Sequence, residues 1–145
     1  MPETDKLVYA ICEKVIDGDT AWFSVIENGV PVTHTVRFLN MDTPETLHPS
    51  MEKQPYGDEA SAYTTAMLEG QQVWLEYDVQ SLDRYDRQLC HIWMPGGWLF
   101  NLHLVEEGYA SVLYYKPNIR YLKFFQAAEE LAITQQKGIW CAPEN

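Results

Sequence analysis

The chain has 145 residues, of which 46% are hydrophobic and 13% aromatic, and its formal net charge is −11. This length and apolar content exclude a disordered chain and favour one domain with a substantial core. The acidic balance argues against a protein whose whole surface binds phosphate backbones, so any contact with nucleic acid must be local and have its own cations.

The sequence shows no clear targeting segment and no cysteine or histidine spacing that is typical of a metal site. There is no run of about 18 apolar residues that could span a membrane, and the first residues lack the basic and apolar regions of a signal peptide. We therefore expect no membrane contact and a cytoplasmic location by default, or secretion if a signal has been removed. Cys12, Cys90 and Cys141 lack metal-type spacing, which is typical of buried thiols. The four histidines also lack it, so any metal should have oxygen ligands.

Three strands are predicted in the first part of the chain, over residues 7–17, 20–26 and 30–39. Asn28-Gly29 separates the second from the third, and Asn-Gly between two apolar runs strongly indicates a tight hairpin. In the third strand Arg37 alternates with Val36 and Phe38. Period two therefore places Arg37 on the face opposite the large apolar residues.

Helices and strands alternate in the remainder of the chain. The patterns predict helices over 58–69, 99–107 and 120–137, strands over 73–77 and 89–94, and an extended segment over 109–115. This order favours an α+β, mainly β fold: a five-stranded, closed antiparallel barrel of the OB type with three helices packed on it. An open α+β sandwich has the same strand count. We expect one domain over 1–145, with a core of about 8–140 and short flexible termini.

Two carboxylate clusters frame Arg37. Asp42 and Glu45 flank Thr43-Pro44, and Pro44 keeps this segment out of a helix. Asp19 belongs to an earlier Asp-Gly-Asp-Thr run. The side chains of these three acids and the carbonyl of Thr43 are hard oxygen donors of the kind that Ca²⁺ prefers. The alternative is that the acids only cap turns.

Two further segments combine aromatic rings with cations. The run Asp83-Arg84-Tyr85-Asp86-Arg87 places two guanidiniums and a phenol on one loop, which suits a local anion site because the arginine fork matches phosphate oxygens. Its alternative is a solvated turn with internal Asp–Arg pairs. Tyr114-Tyr115-Lys116 can stack a base, or it can simply pack at the rim of the core.

Taken together, five segments resemble the staphylococcal nuclease (thermonuclease) family in order and spacing. They are Val15-Ile16-Asp17-Gly18-Asp19-Thr20, then Arg37 followed after four residues by Asp42-Thr43-Pro44-Glu45-Thr46, then Tyr56-Gly57-Asp58-Glu59-Ala60-Ser61, Asp83-Arg84-Tyr85-Asp86-Arg87 and Tyr115-Lys116-Pro117-Asn118. The resemblance covers roughly residues 8–140. Five ordered motifs are far more specific than Asp-Gly-Asp-Thr alone.

This resemblance implies an OB-fold barrel and a Ca²⁺-dependent endonuclease that acts on single-stranded or denatured DNA and on RNA. It implies cleavage of the P–O5′ bond, which leaves 3′-phosphate ends. A monomer is the default expectation. The roles implied by the matching motifs are metal binding by Asp19, Asp42 and the carbonyl of Thr43, catalysis by Arg37, Glu45 and Arg87, and nucleotide binding by Arg84, Tyr85, Leu89 and Tyr115.

Two positions depart from the family pattern. Asp86 stands where the family usually has glycine, at a turn position expected to need a positive φ, and it adds a negative charge beside Arg87. Leu113 stands where a pocket tyrosine is often found. The alternatives are therefore a weak or inactive OB-fold module that binds nucleic acid or acts as a scaffold, and a barrel for a different ligand. Retention of all the motif carboxylates and arginines favours catalysis.

Overall fold

A computed structural model of the protein describes residues 2–3, 6–44 and 55–141. Five long strands are present: β1 (Val8–Asp17), β2 (Thr20–Glu27), β3 (Val30–Phe38), β5 (Gln72–Leu82) and β6 (Gln88–Met94). Three short strands are β4 (Met41–Asp42), β7 (Trp98–Leu99) and β8 (Ser111–Val112). The helices are α1 (Gly57–Leu68), α2 (Phe100–Glu106) and α3 (Leu122–Thr134), followed by a 3-10 helix, Gly138–Trp140. No helix in these ranges is long and apolar enough to cross a membrane.

The β2–β3 hairpin confirms the predicted turn. Glu27 pairs directly with Val30, so the loop consists of Asn28 and Gly29 alone. Both loop residues have positive φ, 52° and 80°. A two-residue loop with two positive φ values matches the right-handed twist of the strands, which is why Asn-Gly is favoured there.

Five strands close into a barrel. Strand β1 pairs in antiparallel fashion with β2 and β5, β2 with β3, and β5 with β6. The ring is completed by β3 and β6, where Phe38 lies opposite Cys90 in a parallel pairing. The predicted OB-type barrel is confirmed and the open sandwich is wrong. The expectation of a wholly antiparallel barrel is also wrong, because β3 and β6 are connected through α1 and β5 rather than by a hairpin.

Apolar residues from both the barrel and the helices fill one core. Phe23, Phe38, Phe100 and Phe125 are almost completely buried, and the rings of Phe38 and Phe100 lie 6.3 Å apart. Helix α2 thereby covers the end of the barrel, and α3 packs on α2. Burial of each such phenylalanine contributes about 1.5–3 kcal/mol before packing is counted.

Several element boundaries differ from the sequence prediction, most clearly in β5 and α3. Strand β5 continues to Leu82 rather than 77, and helix α3 covers a shorter range than 120–137. The helix ends early because Gln136 has a positive φ of 54° and the Lys137 N–H returns to the Ala132 carbonyl at 3.0 Å. The cysteine prediction is confirmed for two thiols, but Cys141 is exposed.

Candidate active site

Arg37 is the centre of the polar site. It belongs to β3, and its side chain, only 12% exposed, points away from the barrel core. Nη1 donates to the carbonyl oxygens of Phe38 and Met41, both at 2.8 Å. Nη2 lies 3.0 Å from Asp42 Oδ1 and 3.3 Å from Asp19 Oδ2. One guanidinium therefore brings the two carboxylate clusters together, as the sequence suggested.

Asp19 is fixed by the turn between β1 and β2. Its Oδ1 accepts the Thr20 hydroxyl at 3.0 Å, and its Oδ2 accepts the Thr43 N–H at 3.3 Å. Thr43 can approach Asp19 this closely because the residue before Asp19 in the β1–β2 turn is Gly18. A Cβ on Gly18 would lie 2.7 Å from Thr43 Oγ1, which is closer than real contacts allow. Glycine is needed here for this close approach.

The donor set fits a hard cation. Asp19 and Asp42 share the guanidinium of Arg37, and the Asp42 side chain is 54% exposed. The Thr43 hydroxyl is buried and has no hydrogen-bond partner among the described residues. Carboxylate and other oxygen donors beside such an orphaned group suit Ca²⁺ or Mg²⁺ rather than a softer metal. No cluster of three or more His, Cys, Asp or Glu occurs within 6–44 and 55–141.

Glu45 lies outside the described residues, which omit 45–54. The predicted role of Glu45 therefore stays a prediction. The turn-capping alternative is realised at Asp17, whose Oδ1 accepts the Gly18 N–H at 2.8 Å.

Arg87 is held by the loop that follows β5. The carboxylate of Asp83 accepts the backbone N–H groups of Tyr85 and Arg87, both at 2.9 Å, and Nε of Arg87 at 2.8 Å. Burial by itself would raise the pKa of Asp83, but these hydrogen bonds and the guanidinium charge outweigh it, so the pKa lies below its usual value. The internal Asp–Arg pair expected for a solvated turn is present, and it also orients Arg87.

The same loop accommodates the acidic departure from the family pattern. Asp86 has a φ of 63°, as expected for the position that is usually glycine. The exposed ring of Tyr85 lies near both arginines: the guanidinium carbons of Arg84 and Arg87 are 4.9 and 5.4 Å from its centroid. Two cations and one ring are thus grouped on a surface loop.

Two adjoining pockets connect this loop to β3. The smaller, of about 140 Å³, is lined by Arg37, Arg87, Leu89 and Tyr115, with Leu113 at its side. The larger, of about 420 Å³, is lined by the substrate-site predictions Arg84, Tyr85 and Tyr115, together with Arg87, Asp83 and Gln80. Arg87 and Tyr115 line both pockets. The structure therefore brings the two arginines of the predicted catalytic set together with all the predicted nucleotide-binding residues.

Sequence reasoning missed the amides that support these pockets. Asn118 is buried and exchanges two hydrogen bonds with the backbone of Gln80, at 2.7 and 2.8 Å. Nδ2 of Asn40 donates to the carbonyl oxygens of Asn118 and Leu113, at 2.9 and 3.2 Å. These bonds fix the segment that carries Tyr115. Asn118 belongs to one of the motifs, but no local pattern could show what its amide contacts.

The fold and site together define an OB-type barrel with arginine-lined pockets beside a pair of carboxylates. Residues 35–142 match the sequence profile of the family described as staphylococcal nuclease homologue. The chain therefore belongs to the staphylococcal nuclease family.

Several relatives are similar in sequence to this chain over most of its length. It is similar to a thermonuclease of Staphylococcus hyicus, with 41% identity over 127 residues, which cover 88% of this chain and 72% of that protein. A thermonuclease of Staphylococcus intermedius is 38% identical over 130 residues, 90% and 74% of the two chains. Endonuclease YncB of Bacillus subtilis is 37% identical over 137 residues, 93% of this chain and 63% of that protein.

Proposed function

We propose that this protein is a Ca²⁺-dependent endonuclease that hydrolyses single-stranded or denatured DNA and RNA. It cleaves the P–O5′ bond and leaves 3′-phosphate ends. The observation that carries the proposal is the shared pocket of Arg37 and Arg87, with Arg37 also contacting Asp19 and Asp42. Family membership and the nuclease names of the relatives support it independently.

The two arginines stabilise the phosphate. Negative charge grows on the non-bridging oxygens as water attacks phosphorus, and donors fixed in advance reduce the energy of that state most effectively. Arg37 is held by two backbone carbonyls and Arg87 by Asp83. Both guanidiniums are therefore oriented before substrate arrives. Among the described residues Arg87 uses only its Nε in these contacts, which leaves its Nη groups for phosphate oxygens, whereas Arg37 uses both Nη groups and keeps its Nε–H.

Asp19, Asp42 and the carbonyl oxygen of Thr43 would hold the cation. Ca²⁺ accepts a flexible shell of oxygen ligands, and a half-exposed carboxylate such as Asp42 leaves room for water in that shell. When bound, the ion supplies positive charge next to the reacting phosphate. The carboxylates of Asp19, Asp42 and Glu45 would otherwise repel a phosphodiester, so the cation and both arginines are needed.

Because Glu45 stands at the matching position of the family motif, we assign it the role of accepting a proton from the attacking water. Water oxygen bonds to phosphorus, the P–O5′ bond breaks, and the 5′ oxygen leaves as a hydroxyl after taking a proton from solvent. The phosphate remains on the 3′ oxygen. A carboxylate suits this role because it can accept the proton within hydrogen-bond distance of the water.

The adjoining pocket positions the nucleotide. Arg84 and Tyr85 line it from the loop and Tyr115 from the opposite segment, while Leu89 adds an apolar wall to the smaller pocket. Aromatic faces stack bases of any sequence, and arginines hold flanking phosphates. Broad specificity for DNA and RNA follows, because neither interaction depends on a particular base.

The test is cleavage of denatured DNA by the purified protein with Ca²⁺, with Mg²⁺ and with chelator. Arg87→Ala protein, purified in parallel, measures contamination by other nucleases. We expect cleavage that requires Ca²⁺ and yields 3′-phosphate ends, far above the variant. Wild-type protein that cleaves no faster than the variant would instead identify an inactive binding or scaffold module.

A further inference from the structure

A larger cavity lies apart from the two pockets of the nuclease site. It is bounded by α1, the β6–β7 turn, α2 and α3, and its volume is about 750 Å³. This volume falls in the range of roughly 300–1,000 Å³ that is typical of small-molecule sites. None of its lining residues lines the pockets at Arg37 and Arg87.

Aromatic rings in the cavity wall face several directions. Trp93 and Tyr121 cross at 81° with centroids 6.0 Å apart, and Trp98 and His103 cross at 72° with centroids 5.2 Å apart. Phe124 adds a ring that is 64% exposed. The rings of each pair therefore lie in nearly perpendicular planes. The faces of tryptophan, tyrosine and phenylalanine rings attract a cation through their quadrupoles.

The charge of the lining favours a cation as well. Glu106 is the one Asp, Glu, Lys or Arg residue among the described residues that line the cavity. None of the ion pairs within the described part of the chain uses its carboxylate. The neighbouring Glu107, in contrast, lies 3.9 Å from Lys137 Nζ. The net charge of −11 on the chain adds to this preference for a cation.

Several polar atoms of the aromatic wall are already partnered. The Tyr63 hydroxyl and His103 Nε2 lie 2.6 Å apart, and the Trp93 indole N–H donates to Glu76 at 2.9 Å. The wall therefore offers mainly aromatic rings to a ligand. A ligand that matches it has an apolar body and a charge without strong hydrogen-bonding demands.

We infer that this cavity binds a small aromatic quaternary ammonium cation. The ammonium methyl groups contact the ring faces, and Glu106 supplies the counter-charge at the rim. This binding is independent of the nuclease site and of its metal.

The experiment uses two probes of the same shape. One is (4-hydroxyphenyl)trimethylammonium, and the other is 4-tert-butylphenol, in which carbon replaces the charged nitrogen. Both are titrated into full-length protein, and the shifts of the tryptophan indole N–H signals are followed by NMR. We expect saturable binding of the cation at least about tenfold tighter than that of the neutral probe, with shifts at Trp93 and Trp98, a difference of about 1.4 kcal/mol.

Two variants, each of which removes one negative charge, test whether Glu106 is the carboxylate that attracts the cation. Glu106→Gln should weaken cation binding at least about fivefold, whereas Glu107→Gln, whose carboxylate pairs with Lys137, should change it less than about twofold. Equal affinity for the two probes, equal effects of the two variants, or no saturable shift would overturn the inference. So would thymidine monophosphate shifting the same indole signals, or self-association of the protein that buries Trp98.

Discussion

The two arginines of the site are oriented in different ways. Arg37 extends from a barrel strand, is 12% exposed, and contacts two backbone carbonyls and two carboxylates. Arg87 is on a surface loop, is 33% exposed, and depends on Asp83. A barrel strand thus holds the guanidinium at one side of the pocket, which makes Arg37 the framework arginine. A surface loop holds the guanidinium at the other side, which makes Arg87 the loop arginine. In the proposed mechanism the framework arginine serves both catalysis and stability, whereas we expect the loop arginine to be replaceable with little loss of stability.

The largest expected effect is the loss of Arg87. Replacement by alanine removes a donor from the reacting phosphate, and we expect kcat to fall by about 10²–10³-fold. The matched control is Arg84→Ala, which removes the same charge from the same loop and should raise KM more than it lowers kcat. Single-turnover cleavage of a short denatured DNA measures both. Equal losses of kcat in the two variants would mean that Arg87 acts only as a general positive charge.

Arg37→Ala should separate the two arginines by stability. It removes the charged partner of Asp19, whose side chain is 13% exposed, and the side-chain donor of two backbone carbonyls. We expect the free energy of unfolding to fall by about 2–4 kcal/mol, against less than about 1 kcal/mol for Arg87→Ala. Urea denaturation followed by tryptophan fluorescence gives both values. Similar losses would contradict the distinction between framework and loop.

Asp83→Asn tests whether the loop arginine depends on its carboxylate. We expect roughly a tenfold loss of kcat/KM, the value of one charge-assisted hydrogen bond. Because the pKa of Asp83 lies below its usual 3.8, its contribution to stability is present above that pH and disappears as pH falls through the lowered pKa. The difference in unfolding free energy between wild type and Asp83→Asn should therefore shrink towards low pH. A difference in unfolding free energy that does not change with pH would show that the negative charge of Asp83 does not cause its contribution to stability.

The smallest expected effect is at Asp86, next to Arg87. Asp86→Asn keeps a side chain that tolerates the φ of 63° and removes the negative charge. We expect KM for denatured DNA to fall about two- to fivefold at low salt and the gain to vanish at high salt. Asp86→Gly should match Asp86→Asn. A gain in the glycine variant alone would attribute the effect to the backbone.

Local chemistry made much of this molecule predictable. The Asn28-Gly29 hairpin follows from the positive φ that its turn requires, and the φ of Asp86 follows from the glycine it replaces. Alternation in β3 placed Arg37 on the face away from Phe38. The ordered motifs identified the arginines and tyrosines that line the two pockets.

Long-range contacts account for what the sequence could not show. The parallel pairing of Phe38 with Cys90 joins residues that are separated in the chain by β4, α1 and β5. The burial of Asp83 and the contacts of the Asn118 amide depend on segments that meet only in the folded chain. The aromatic cavity likewise combines rings from β6, β7, α2 and α3, none of which forms a motif.

The most direct test is a crystal structure with Ca²⁺ and a short phosphorothioate oligonucleotide that resists cleavage. We predict one cation with carboxylate oxygens of Asp19 and Asp42 at about 2.3–2.6 Å. We also predict that Arg37 and Arg87 both contact the same phosphate beside it. A phosphate held by Arg84 and Tyr85 alone, with no cation between Asp19 and Asp42, would contradict the proposed mechanism.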